Sequence, residues 1–184
     1  KGNVFSPEQA KLPYQNIYTR RPDGQLLRNG DTFLTNSFGQ GVYWTGDVMA
    51  QFLTSSYYKD PVLRNEFLKA YQYGTSNYTI DDIWMVLFDD PNLSAESEAS
   101  LPLSKYFGDP MGIMVARTGW DGGYQTKTAV AEMNIGGTYF ANHQHLDAGS
   151  FQLYYKGGLA IDSGVYQGQG GGYASSHDLN YNKR

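Results

Sequence analysis

Residues 92 to 110 read Asn92-Leu93-Ser94-Ala95-Glu96-Ser97-Glu98-Ala99-Ser100-Leu101-Pro102-Leu103-Ser104-Lys105-Tyr106-Phe107-Gly108-Asp109-Pro110. The stretch is rich in Ser, Pro and Glu and has no sustained apolar period, so it reads as a connector and a domain boundary. Before it the apolar period is helical. Val48, Phe52 and Leu53 fall on one stripe from Asp47 onward, and a second helix starts with Asp60 as N-cap and Pro61 at its first position. Leu63, Phe67 and Tyr71 then recur at four-residue spacing. A third helix is expected from Thr79, where Asp81 and Asp82 favour the N-terminal dipole, with Ile83, Val86 and Leu87 on one side and an end by Asp89-Asp90-Pro91. After the connector the period falls to two, or to short apolar runs: Gly112 to Arg117, Thr128 to Ile135, Phe151 to Tyr155, and Leu159 to Ile161. Gly157-Gly158 marks a tight hairpin turn between the last two. Helices followed by antiparallel strands give an α+β, multidomain class, with residues 1–105 in the helical half and 106–184 in the strand half.

Residues 1 to 36 are polar and turn-rich. Asp23-Gly24 and Asn29-Gly30 are strong turn dipeptides, and a small hairpin or ordered loop is expected around them. The chain starts at Lys1 without an initiator Met or leader pattern and stops at Asn180-Tyr181-Asn182-Lys183-Arg184 without a closing element, which reads as an internal fragment.

Composition narrows the partners. No run of about 18 apolar residues exists, so a membrane-spanning helix is not expected. The net charge is -4 with Lys and Arg scattered, which argues against a nucleic-acid surface. With no Cys, disulfides and thiolate metal sites are excluded, and His, Asp and Glu are the remaining protein metal ligands. The 16 Tyr, 9 Phe and 22 Gly suit strands and turns, and equally a cleft in which flat rings stack on sugars.

The chemistry gathers in Ala141-Asn142-His143-Gln144-His145-Leu146-Asp147-Ala148-Gly149-Ser150-Phe151. In an extended chain His143, His145 and Asp147 share a face, and two imidazoles with a carboxylate suit a site better than a core. His145 and Asp162 are candidate metal ligands, brought near each other by the hairpin through Gly157-Gly158, with His177 or a residue past Arg184 needed to complete the set. His143 is a candidate general base or charge neutraliser, against a plain hydrogen-bonding role. The run Gly164 to Gly172 lacks the Gly-Lys-Ser or Gly-Lys-Thr ending of a phosphate loop and reads as a loop over a cleft, with Tyr166 and Tyr173 on it within reach of a ligand.

The segments Met114-Val115-Ala116-Arg117-Thr118-Gly119-Trp120-Asp121, Asn142 to Phe151, and Asp162-Ser163-Gly164 together resemble the heparinase II/III family of polysaccharide lyases. The likeness is greatest to its heparinase II side, which Ile17-Tyr18-Thr19-Arg20-Arg21-Pro22-Asp23-Gly24 also resembles. The resemblance implies the end of an incomplete α/α toroid followed by the start of an antiparallel β-sandwich domain, with a sugar cleft between. It implies β-elimination on uronic acid residues of heparin or heparan sulfate. Asn142 and His143 match groups that neutralise the substrate carboxylate, and Tyr173 matches a cleft tyrosine. Zinc is implied at His145 and Asp162, its third protein ligand falling beyond Arg184, and the principal acid/base tyrosine is expected upstream of Lys1. An acidic polysaccharide partner, a bacterial periplasmic or secreted setting and a homodimer follow from the same resemblance. An alginate lyase of the same architecture is the nearest alternative, against which Arg20, Arg21 and Arg28 lean toward sulfated chains. A carbohydrate-binding β-sandwich module without catalysis is the alternative from another class.

Overall fold

The computed structural model describes residues 6–27, 48–73, 82–136 and 148–161. The chain divides into two compact units, Lys1–Ile17 with Phe38–Pro102, and Tyr18–Ser37 with Leu103–Arg184.

The first unit is helical. A 3-10 turn, Pro7–Ala10, leads into α1 (Lys11–Thr19), whose last two residues count with the second unit. Helices α2 (Val48–Tyr58), α3 (Pro61–Tyr73) and α4 (Asp82–Phe88) follow. The start of α3 is built as its sequence dictates. Asp60 Oδ1 accepts from the backbone N–H groups of Val62 at 2.9 Å and Leu63 at 3.0 Å, and Oδ2 accepts from the Tyr14 hydroxyl at 2.7 Å. One carboxylate thus satisfies two otherwise orphaned donors while Pro61 presents none. Val48, Phe52, Phe67 and Ala70 form the core between α2 and α3, with Met49, Leu53 and Met85 packed against it.

Two helical expectations change. Tyr71 continues the Leu63–Phe67 stripe in sequence, yet it lies at the rim, 56% exposed, with its ring 5.7 Å from Phe67. In α4 it is Met85 that reaches the core, while Ile83, Val86 and Leu87 are exposed.

The second unit is a five-stranded antiparallel sheet in sequential order: β1 (Ser104–Tyr106), β2 (Ile113–Arg117), β3 (Val130–Asn134), β4 (Phe151–Tyr154) and β5 (Gly158–Ala160). Four strands sit where the period predicts them. β1 lies inside the stretch read as connector, because three residues are too few to show alternation. The register aligns Lys105, Val115, Glu132 and Gln152 in one row and Arg117, Val130 and Tyr154 in the next. Apart from half-buried Lys105, every residue of those rows is buried. The opposite face carries Tyr106, Met114, Met133 and Phe151 as a row.

A hairpin-like segment of the same unit completes its core. Arg20 bridges Leu26, Arg21 N–H donates to the Gln25 carbonyl at 2.6 Å, and Gly24 takes φ +82 at the turn that Asp23-Gly24 announces. Buried Tyr18 meets Phe107 and Trp120 edge-to-face, with centroids at 5.7 and 5.1 Å. Arg117 fixes the segment: its guanidinium donates to the carbonyls of Tyr18 and Arg20, both at 2.7 Å, and lies 4.4 Å from the Trp120 ring centroid. A buried arginine satisfies freed carbonyls at a helix end with charge-assisted bonds.

The β4–β5 turn places Lys156 at φ +57. An L side chain is penalised there, so Lys156→Gly is expected to stabilise the sheet unit by about 0.5–1 kcal/mol. Thermal unfolding of the two proteins side by side checks it, and a lower midpoint in the glycine variant would count against it.

Candidate functional site

Asn142, His143, His145, Asp162 and Tyr173 all lie outside the described residues, as do Tyr166, His177, Arg28 and the Asn29-Gly30 turn. The described residues define the frame from which the histidine-bearing sequence departs. β3 ends at Asn134 and β4 begins at Phe151, so His143 and His145 belong to the connection between two paired strands. Its base is closed by two backbone bonds, Asn134 N–H to the Ser150 carbonyl at 3.0 Å and Gly149 N–H to the Asn134 carbonyl at 2.7 Å. A second clamp sits beside it. The Gly112 carbonyl accepts from both Ile135 and Gly136, at 2.7 and 2.8 Å.

β5 runs antiparallel to β4, with Ala160 opposite Leu153. Asp162 follows two residues later in sequence. The sequence carrying His143 and His145 and the sequence carrying Asp162 therefore leave the sheet at the same end. Imidazole and carboxylate are the donor types a zinc ion takes, and two fall one short of the three protein ligands usual even in an open site. Among the described residues no group of three or more His, Asp or Glu is placed to hold a metal.

The covered sheet face is more polar than alternation alone suggests. Glu132 is 3% exposed, and the Gln152 amide donates to its Oε1 at 3.3 Å. The signal was present as polar residues at the period-two positions shared with Val115 and Val130. What covers that face is set by residues a hundred positions away.

Arg21 is committed within its own turn. Its guanidinium donates to Asp23 Oδ1 at 3.0 Å, to Asp23 Oδ2 at 2.7 Å and to Gln25 Oε1 at 3.0 Å, and it lies 4.9 Å from the Tyr154 ring centroid. Such a bidentate pair spends the charge locally. Burial pushes the Tyr154 hydroxyl above its ordinary 10.0, with the Asp23 carboxylate adding to the rise and Arg21 opposing it. Burial likewise raises Tyr18, against the pull of Arg117.

A raised phenol favours the folded state in full below about pH 10, and that contribution is lost as pH climbs through the folded value. Tyr154→Phe is therefore expected to cost about 1 kcal/mol near neutrality, where the interaction of its hydroxyl with the Asp23 carboxylate is lost, and to flatten the alkaline fall in stability. Denaturant midpoints between pH 7 and 11 read both effects. An equally steep alkaline limb in the variant would refute the assignment.

No family model matches the chain, and no curated protein matches it. Among solved structures, a heparinase III with methylated lysines superimposes with a TM-score of 0.54 at 16% identity, over 94% of this chain and 21% of that one. The chain has the fold of a stretch of heparinase III. A further heparinase III structure gives 0.48 at 17% identity, over 89% of this chain and 20% of its own. The chain thus spans about a fifth of the length of the structures it matches. The heparinase III likeness fixes the class as α+β, the end of a helical toroid leading into an antiparallel β domain. No described helix is long and apolar enough to cross a membrane.

Proposed function

We propose that this chain is part of a polysaccharide lyase that cleaves uronic-acid-containing glycosaminoglycans, heparin or heparan sulfate, by β-elimination. The observation that carries the reading is the heparinase III fold combined with the origin of the Asn142–His145 sequence between β3 and β4. The heparinase II likeness read from sequence remains part of the proposal.

The reaction demands three things of the protein. The proton at C5 of the uronate is weakly acidic, so the adjacent carboxylate must be neutralised, and Asn142 with His143 supply donors to its oxygens. A base then takes the C5 proton, and the electron pair forms the C4–C5 double bond as the C4–O bond breaks. The departing glycosidic oxygen takes a proton from an acid. Tyr173 is the candidate from this chain for the acid/base pair, with the principal tyrosine supplied by the remainder of the protein. His145 and Asp162 would hold a zinc ion that ties the β3–β4 connection to the sequence after β5. A bacterial periplasmic or secreted setting and a homodimer accompany the reading.

One observation favours a second substrate. Arg21, counted toward a sulfate-binding surface, is paired with Asp23 and only 14% exposed at its side chain. Removing it from the free cations weakens the case for a sulfated chain and raises alginate, a uronate polymer without sulfate.

The test is ultraviolet absorbance of 4,5-unsaturated uronate formed by the full-length protein on heparin, heparan sulfate and alginate. Product from a sulfated chain supports the first reading, and product from alginate alone transfers the mechanism to the second. No product from any polymer overturns the lyase assignment in favour of a carbohydrate-binding module.

A further inference from the structure

Residues 89–100 bury little and yet run in fixed contact along α3. From Pro91 to Ser100 every residue except half-buried Leu93 and Glu98 is exposed, so apolar burial supplies little of what holds the stretch. Charge and hydrogen bonds supply the rest. Asp89 takes the Arg64 guanidinium at 2.5 Å, and Asp90 takes the Lys59 ammonium at 2.6 Å. Farther on, the Glu96 N–H donates to the Pro61 carbonyl at 2.9 Å, and Glu98 Oε2 accepts from the Asn65 amide at 3.2 Å and from the Lys69 ammonium at 2.5 Å. Pro61, Asn65 and Lys69 recur at four-residue spacing as one stripe of α3, and the stretch follows that stripe from the first turn onward.

The charges are sorted by segment. Lys59, Arg64 and Lys69 carry the cations, and Asp89, Asp90 and Glu98 the carboxylates, so the three pairs share one polarity. Lys69 also faces the buried Glu66 carboxylate of its own helix at 3.4 Å. Ion pairs this close to water are individually weak and are screened by salt. The apolar core between α2 and α3, built on Phe52 and Phe67, is not loosened that way.

We infer that residues 89–100 form an electrostatic strap on α3 that salt releases while the helices stay folded. Fastened, the strap belongs to the helical unit and confines the link to the sheet unit to Leu101-Pro102. Released, it lengthens that link back toward Asp89. Arg64 is 9% exposed at its side chain and so is screened least, which keeps the Asp89 end anchored while the Glu98 end yields.

The Glu96 amide reports the strap, because its bond to Pro61 exists only while the strap is fastened. Hydrogen exchange of the full-length protein is compared in about 10 mM and about 1 M sodium chloride, which takes the screening length from roughly 30 Å to roughly 3 Å. Salt is expected to quicken the Glu96 amide about tenfold, while amides inside α3 such as Phe67 change by less than about twofold. Glu98→Gln is expected to quicken Glu96 exchange about threefold or more at low salt and to shrink the salt response. A Glu96 amide equally protected at both salt levels, or unprotected at both, overturns the inference. So do α3 amides that quicken in step with Glu96, since the helical unit is then unfolding as a whole. A Glu98→Gln protein with the wild-type exchange and salt response overturns it as well.

Discussion

Alanine at Gly112 is expected to destabilise the sheet unit by about 2–5 kcal/mol, the largest stability effect of any single substitution considered. Two independent costs combine. Gly112 sits at φ +61, in the left-handed region, where a side chain costs roughly 1–2 kcal/mol. A Cβ there would stand 2.2 Å from Gly136 Cα and 2.4 Å from Gly136 N, both backbone atoms that no rotamer change can move. Relief requires the ends of β2 and β3 to part, which breaks the bonds from Ile135 and Gly136 to the Gly112 carbonyl at about 0.5–1.5 kcal/mol each. Gly136→Ala is the internal control: its Cβ would come 2.9 Å from Gly112 Cα, so a smaller loss is expected. Denaturant unfolding with hydrogen exchange at the β2 and β3 amides measures both. A loss under 1 kcal/mol at Gly112 would mean that the close approach of the two glycines does not hold the strands.

The same pair marks the limit of what sequence reveals. Periodicity places β2 through β5, and Asp60-Pro61 announces α3, because alternation and capping are written in neighbouring residues. Gly112 reads locally as the first residue of a strand, whereas it caps the short helical turn Gly108–Met111 in the left-handed conformation and meets Gly136 just past the end of β3. Arg117 is similar. It alternates with Val115 on one face, but its partners are the carbonyls of Tyr18 and Arg20, nearly a hundred residues earlier. Arg21 shows the reverse error, since a basic residue suggests a binding surface until Asp23 and Gln25 are seen to hold it. For the candidate site, sequence names the residues proposed to carry chemistry. The fold adds where they depart from the sheet: between Asn134 and Phe151 for the histidines, and after Ile161 for Asp162.

His143→Ala is expected to lower kcat on the uronate polymer by about 10²–10³-fold, equivalent to losing roughly 3–4 kcal/mol of transition-state stabilisation. On the proposed reading the lost group is a donor to charge that grows as the C5 proton departs, so the ground-state complex would feel its loss less. KM should therefore move little while kcat and kcat/KM fall together, the signature of an interaction made chiefly in the transition state. Asn142→Ala should fall in the same direction, and the double variant by less than the product of the two, because both donors serve one carboxylate. A residue needed only to hold the connection in place would behave differently, weakening binding and lowering the unfolding midpoint along with the rate. Steady-state absorbance of the full-length protein on its best polymer, paired with thermal unfolding, separates the two cases. A kcat within threefold of wild type would remove His143 from the chemistry and leave carboxylate neutralisation to another residue.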